Sequence, residues 1–140
     1  MSSAGFAYFD VEADVGVEAW GATLAEALGQ VALGVLALSV GPEDVVDRET
    51  REVRAQGESA ERLLVNWVNE CLYVHEIEGF AACRVVASLP APGIVHGVLH
   101  GEPIDRARHR LGATVKAATF HQVTVVEQPE SARVRLVVDV

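Results

Sequence analysis

The stretch ADVGVEAWGATLAEALGQVALGVLALSV, residues 13–40, decides the fold, because its hydrophobic period changes half-way along. From Ala13 to Ala19 the pattern alternates. Ala13, Val15, Val17 and Ala19 point one way, and Asp14, Gly16, Glu18 and Trp20 point the other, as in a half-buried strand. Gly21 ends it. Thr23 then stands as a helix N-cap with Glu26 three residues on, the spacing of a capping box. Leu24, Leu28, Val31, Val35 and Leu38 follow at helical spacing until Gly41-Pro42 stops the run. A strand followed at once by an apolar helix calls for a sheet covered by helices.

Outward from this stretch the same two periods recur. The segment before it, from Gly5, continues as a further strand or as one long bent strand. After it come an alternating strand in TREVRAQG and a second helix in ESAERLLVNWVNECLYVHEIEGF, with Ser59 as N-cap, an apolar face through Leu64, Trp67, Val68 and Cys71, and Gly79 as the stop. The rest is strand-like: FAACRVVASL, GIVHGVLHG, VKAATFHQVTVVEQ and ARVRLVVDV, with Pro90, Pro92 and Gly93 marking a turn and EPIDRARHRLGA a polar excursion. The order predicts an α+β two-layer sandwich in one domain over residues 1–140. Its expected form is one mixed, mostly antiparallel sheet with two helices packed on one face.

Composition narrows the function. The net charge of −9 argues against independent binding of nucleic acid across a broad basic face. No run is long and apolar enough to span a bilayer, and no basic segment followed by an apolar core opens the chain, so a cytoplasmic, membrane-free protein is expected. Cys71 and Cys83 lack metal spacing and read as reduced core residues. Ten of the eleven basic side chains are arginine, and Lys116 is the single lysine. No nucleophile elbow, phosphate loop or zinc spacing is present.

Acids and histidines on strands remain. In the last strand Val134, Leu136, Val138 and Val140 share one face, and Arg133, Arg135, Val137 and Asp139 the other. Asp14 and Asp139 thus both lie on the less apolar face of their strands. If those strands are neighbours, two carboxylates meet, and they require a counter-charge, either a hard divalent cation or an arginine. Otherwise they are separate solvated acids. His121 shares a face with Thr119 and reads either as a further ligand or as a satisfied strand histidine. His96 and His100 lie about 13 Å apart by strand rise, too far to chelate one ion. The cluster DRARHR, residues 105–110, is either a solvated loop or a loop that meets an acidic group or phosphate on a partner.

Four segments in order, ADVGVEAWG, LLVNWVNECLYV, GEPIDRARHRLGATVKAATFH and VVDV, together resemble the archease family along nearly the whole chain. The resemblance implies an accessory protein, not an enzyme. It would promote guanylylation of the active-site histidine of an RtcB-type RNA ligase by GTP and allow repeated joining of RNA ends, as in tRNA splicing. RNA and GTP would be met only through the ligase. It further implies a divalent metal, Ca, Mg or Mn, held by aspartates matching Asp14 and Asp139. Lys116, Thr119 and His121, with Gly101, Glu102, Asp105 and His109, match further family positions, and Lys116, His121, Asp105 and His109 are the expected partner-facing side chains. One departure stands out. Where the family motif reads Asp-His-Thr-Ala-Asp, this chain has Asp10-Val11-Glu12-Ala13-Asp14. Glu12 would offer a replacement oxygen ligand if the strand were regular there. A chaperone-like interaction module is the alternative expectation. A metal-dependent hydrolase using Asp14, Asp139 and His121 lacks a base-and-nucleophile set.

Overall fold

The computed structural model of the chain describes residues 3–140. The elements run β1 (Gly5–Val11), β2 (Asp14–Gly21), α1 (Leu24–Ala37), a short 3-10 turn (Pro42–Asp44), β3 (Glu49–Gln56), α2 (Ala60–Ile77), β4 (Phe80–Ala91), β5 (Ile94–Pro103), β6 (Ala117–Gln128) and β7 (Ser131–Asp139). The class is α+β with two helices, as the periodicity predicts.

The strands form two sheets rather than one, ordered β1-β2-β7-β6 and β3-β5-β4, and every pairing is antiparallel. The reason the sheet is not mixed lies in the connections. Strands β3 and β4 run parallel, joined by the α2 crossover, but β5 is inserted between them. Strand β7 separates β2 and β6 in the same way. Short turns join β1 to β2, β4 to β5 and β6 to β7, and such hairpins are antiparallel by geometry. The gap between the sheets is held by α2. Asn66 Nδ2 donates to Gln56 O at the end of β3 (2.8 Å), and Asn69 Oδ1 accepts from Ala118 N on β6 (2.8 Å). Two asparagines one turn apart therefore satisfy backbone groups on an edge of each sheet, groups that an exposed edge would leave free.

Each helix touches both sheets. Helix α1 starts as its sequence predicts: Glu26 N donates to Thr23 Oγ1 (3.1 Å), while Glu26 Oε1 accepts from Ala22 N (2.7 Å), one residue earlier than in the standard box. It is apolar nearly all round because it packs on two sides. A side chain at Gly29 would meet Val85 O of β4 at 2.9 Å, and one at Gly34 would meet the Phe6 ring of β1 at 2.8 Å. Two glycines thus let two sheets approach one helix. Helix α2 is capped by Ser59, whose Oγ accepts from Arg62 N (3.1 Å), and ends at Glu78 before Gly79 at φ 63°. Trp67 is fully enclosed. Its Nε1 donates to Leu28 O (2.8 Å) and its ring lies against Gly97, locking α2 to α1 and to β5.

The core face of the four-stranded sheet is Val17 and Ala19 with Val134, Leu136 and Val138, all without solvent exposure. Cys71 is buried, Cys83 half-buried, and both are free thiols. Burial pushes the Cys71 thiol well up. Among the described residues no helix is long and apolar enough to cross a membrane.

Candidate functional site at the paired ends of β2 and β7

The site is a consequence of strand register. Val15 pairs with Val138, and Val17 with Leu136. One step further along the same ladder, Asp14, the first residue of β2, stands opposite Asp139, the last of β7. Because alternate residues share a face, packing Val15 against the core and burying Val17, Leu136 and Val138 in it puts both aspartates on the outer face. The neighbouring positions in the row are Val11 of β1 and Ala117 of β6. Lys116, just before β6, donates its backbone N–H to Asp139 O (2.9 Å) and keeps its side chain exposed. Both aspartates are half-buried. Among the described residues neither carboxylate has a hydrogen-bond or ion-pair partner within the chain, so the arginine that could have neutralised them is not there.

The arginines of β7 are engaged further along the same face. Gly16 and Gly5 leave room for aromatic rings, Phe9 over Gly16 and Trp20 over Gly5. The Arg135 guanidinium lies 4.1 Å from the Phe9 ring centre, and that of Arg133 lies 5.2 Å from the Trp20 ring. Glu18 sits between them, 3.4 Å from Arg133 and 3.9 Å from Arg135. Both cations are held away from the aspartate end.

Glu12 does not share the aspartate row. The chain turns at Glu12 and Ala13, with Ala13 at φ 67°, so β1 and β2 are separate strands and Glu12 sits exposed on the hairpin tip. The regular strand on which its ligand role depended is absent. His121 is also apart. The β6–β7 register breaks between Thr119 and Thr124, with Gln122 at φ 55°, and His121 projects from this bulge to solvent, its Nε2 3.2 Å from Gln122 Nε2. Thr119 anchors the bulge: its hydroxyl donates to Val137 O (3.2 Å) and accepts from His121 N (3.2 Å). Among the described residues no three His, Cys, Asp or Glu side chains converge as a complete cation cage would require. Two half-buried carboxylates without a protein counter-charge do fit a smaller role. A hard cation such as Mg²⁺ is commonly held by one or two carboxylates and retains several waters. The donor set suits that mode, with Asp14 and Asp139 as the residues that would hold the ion.

The polar excursion after β5 is ordered by an acid of the opposite kind. Glu102 is 1% exposed. Its carboxylate accepts from Arg108 (2.6 Å), Val46 N (2.8 Å), His109 Nε2 (2.9 Å) and Arg48 Nε (3.2 Å). The Arg108 hydrogen bond, then that from Val46 N–H, hold the carboxyl far below the usual carboxylate range against the effect of burial. His109 Nδ1 accepts from Asp105 N (2.9 Å), so the ring carries its proton on Nε2 and donates a hydrogen bond through it to Glu102. Asp105 turns its own carboxylate back to Ala107 N (3.0 Å). His109 is therefore enclosed and points inward, and the partner-facing role expected of its side chain gives way to a structural one. Asp105 and Lys116 remain exposed. Further along, Gly112 N and Ala113 N donate to Ser39 O and Leu38 O, and Ser39 Oγ donates to Ala113 O (2.7 Å). The segment is stapled at both ends and delivers Lys116 to Asp139.

Glu102 was the residue least visible beforehand. Strand parity groups it with His96 and His100 on the outer face of the three-stranded sheet, where an acid should be wet. The returning loop covers it. The signal available was its own charge pattern, an acid followed six and seven residues later by Arg108 and His109.

Comparison with known proteins agrees with this architecture. The Archease protein family (MTH1598/TM1083) matches residues 6–140. The protein archease of Pyrobaculum islandicum is 33% identical over 139 residues, covering 96% of this chain and 95% of that protein. That of Thermococcus gammatolerans is 34% identical over 126 residues, covering 88% and 89%. The solution structure of protein 1598 of Methanobacterium thermoautotrophicum superposes with a TM-score of 0.77 at 28% identity, over 97% of this chain and 99% of that one. The crystal structure of an archease from Thermotoga maritima, described as a possible chaperone, shares the fold with a TM-score of 0.63 at 20% identity, over 94% of each chain. The chain belongs to the archease family.

Proposed function

We propose that this protein is a cytoplasmic accessory factor, not an enzyme in its own right, that activates an RtcB-type RNA ligase. It promotes guanylylation of the ligase histidine by GTP and repeated rounds of RNA end joining, as in tRNA splicing. The observation that supports this reading is the Asp14–Asp139 register: two carboxylates brought together on an open sheet end, with no counter-charge of their own. Such a pair is poised to share a cation or a cationic group supplied by another molecule. A divalent ion held there would supply positive charge beside the phosphate oxygens of the nucleotide. This chain's part is placement. The β2–β7 ladder fixes the two carboxylates, the Glu102-held loop fixes Lys116 beside them, and the net charge of −9 steers the protein toward a basic, RNA-binding partner. The covalent chemistry belongs to the ligase.

The test mixes the protein with an RtcB-type ligase from the same genome, labelled GTP and Mg²⁺, Mn²⁺ or Ca²⁺, and measures label on the ligase. Stimulation by the wild type that disappears in Asp14→Ala and Asp139→Ala supports the reading. No stimulation with any ion, or full stimulation by both variants, rejects it.

A chaperone-like interaction module is the second reading, favoured by the description of the Thermotoga maritima relative as a possible chaperone. Suppression of aggregation of an unrelated protein, unchanged in Asp14→Ala, would select it.

A further inference from the structure

The two most exposed large apolar side chains among the described residues are Ile77 (64%) and Tyr73 (58%). They lie four residues apart on α2 and so stack on one face of the helix. Below them is a groove of about 460 Å³ between α2 and the segment leading into β6, lined by Leu72, Tyr73, Glu76 and Ile77 on one side and Val115 and Lys116 on the other. Its floor is apolar: Leu72 and Val115 are buried. Past Glu76 and Val115 it meets a more polar hollow bounded by Leu111, itself 44% exposed, and by Arg106. Large apolar residues exposed singly carry no message, but a ridge of two over an apolar trough is the anatomy of a docking surface.

The charges around the ridge say what fits it. Helical geometry puts Glu70 on one flank of Tyr73 and Ile77 and Glu76 on the other. Neither has an ion-pair partner among the described residues, whereas Glu78, at the end of the helix, is bound by Arg51 (3.2 Å). A second copy of this chain is a poor occupant. A two-fold contact through the ridge would set Glu70 and Glu76 of one molecule against those of the other, in a protein already at −9. The complement is a segment with apolar anchors and flanking cations. At its β6 end the groove reaches Lys116, whose backbone is bonded to Asp139.

We propose that the α2 groove is the docking site for a basic amphipathic segment of the partner protein, its apolar side chains seated at Tyr73 and Ile77 and its cations at Glu70 and Glu76. This rests on the accessory-factor reading and adds to it a second contact, distinct from the carboxylates. The groove supplies affinity and specificity, and the aspartate end supplies the effect on chemistry. Anchors of this type account for most of the energy of an interface.

The probe is the intact RtcB-type ligase, with Kd measured by calorimetry and guanylylation followed in parallel. Tyr73→Ser combined with Ile77→Ser is expected to weaken binding about tenfold or more. Glu70→Lys with Glu76→Lys is expected to do the same and to reduce the salt dependence of binding. Val126→Ser, an exposed apolar position on β6, serves as the control and is expected to bind as wild type. Saturating amounts of the Tyr73/Ile77 variant should still stimulate, because Asp14 and Asp139 are intact. The inference is overturned if wild type binds and stimulates while both groove variants bind within twofold of it. It is also overturned if sedimentation shows a wild-type dimer that Ile77→Ser disperses. If wild type neither binds nor stimulates, the accessory-factor reading falls first and the groove assignment with it. Circular dichroism of each variant confirms the fold, since all these side chains are at the surface.

Discussion

Two carboxylate sites at opposite ends of one loop are built on opposite terms. Glu102 is enclosed and has four donors. Asp14 and Asp139 are half-buried, face each other across a ladder, and have no donor among the described residues. The first arrangement satisfies every need of a buried charge and leaves it nothing to do but hold the loop. The second leaves two negative charges in search of something positive. An acid's task is thus read from the partners it has been given, and the loop from Glu102 to Lys116 joins the two cases: the satisfied acid fixes the position of the unsatisfied ones.

The largest effect expected is on stability, at the satisfied site. Glu102→Ala should lower the unfolding free energy by about 3 kcal/mol, read from urea titration. His109 and Val46 N–H lose a buried acceptor, while Arg48 and Arg108 can turn to water, which keeps the cost near the lower end for a broken buried ion pair. Asp14→Asn should shift stability by no more than about 0.5 kcal/mol, since it removes no contact. A Glu102 variant as stable as wild type would break the contrast.

Next is the response to divalent ions. Mg²⁺ or Mn²⁺ near one hundred times its Kd should stabilise the wild type by about 2.7 kcal/mol. Asp14→Asn and Asp139→Asn should abolish the shift. Glu12→Gln should retain it, because Glu12 stands on the hairpin tip outside the aspartate row. Loss of the shift in Glu12→Gln would show that the tip folds back to ligate.

The pH dependence separates the sites further. The carboxyl of Glu102 in the folded protein lies below its ordinary value of 4.5. Its contribution to stability is therefore complete above that value and is lost as pH falls below it toward the folded-state value. Acid unfolding curves should show this loss in the wild type and a shallower one in Glu102→Gln. Identical curves would mean that the network contributes nothing through ionisation. The smallest effect is at the turn beside Asp14. Ala13 sits at positive φ, so Ala13→Gly should stabilise by about 0.5 kcal/mol without altering ion binding.

How much of this could be read beforehand follows from the range of the interactions involved. Alternation within a strand is local, so the faces of Asp14 and Asp139 were legible, as were the caps at Thr23 and Ser59 and the stop at Gly79. That β2 and β7 are neighbours is a long-range fact, and there the sequence offered only a condition. The division into two sheets was not legible, because it depends on long-range pairing and on Asn66 and Asn69 reaching two separate edges, and the absence of parallel pairs depends on β5 and β7 inserting between parallel strands. Nor was the burial of Glu102: strand parity placed it in water, and only the fold of the following loop encloses it. Glu12 lies outside the aspartate row for a simpler reason. Its place there was conditional on a regular strand, and a two-residue turn at Glu12 and Ala13 reverses the chain.

The central claim is that the unpaired aspartates act on the partner while the paired glutamate holds the fold. The most direct measurement compares ligase guanylylation driven by Asp14→Asn and by Glu102→Gln, each at a temperature where both are fully folded. The account predicts that Asp14→Asn is as stable as wild type and does not stimulate, whereas Glu102→Gln is less stable and still does. Full stimulation by Asp14→Asn, with none by a folded Glu102→Gln, would contradict it.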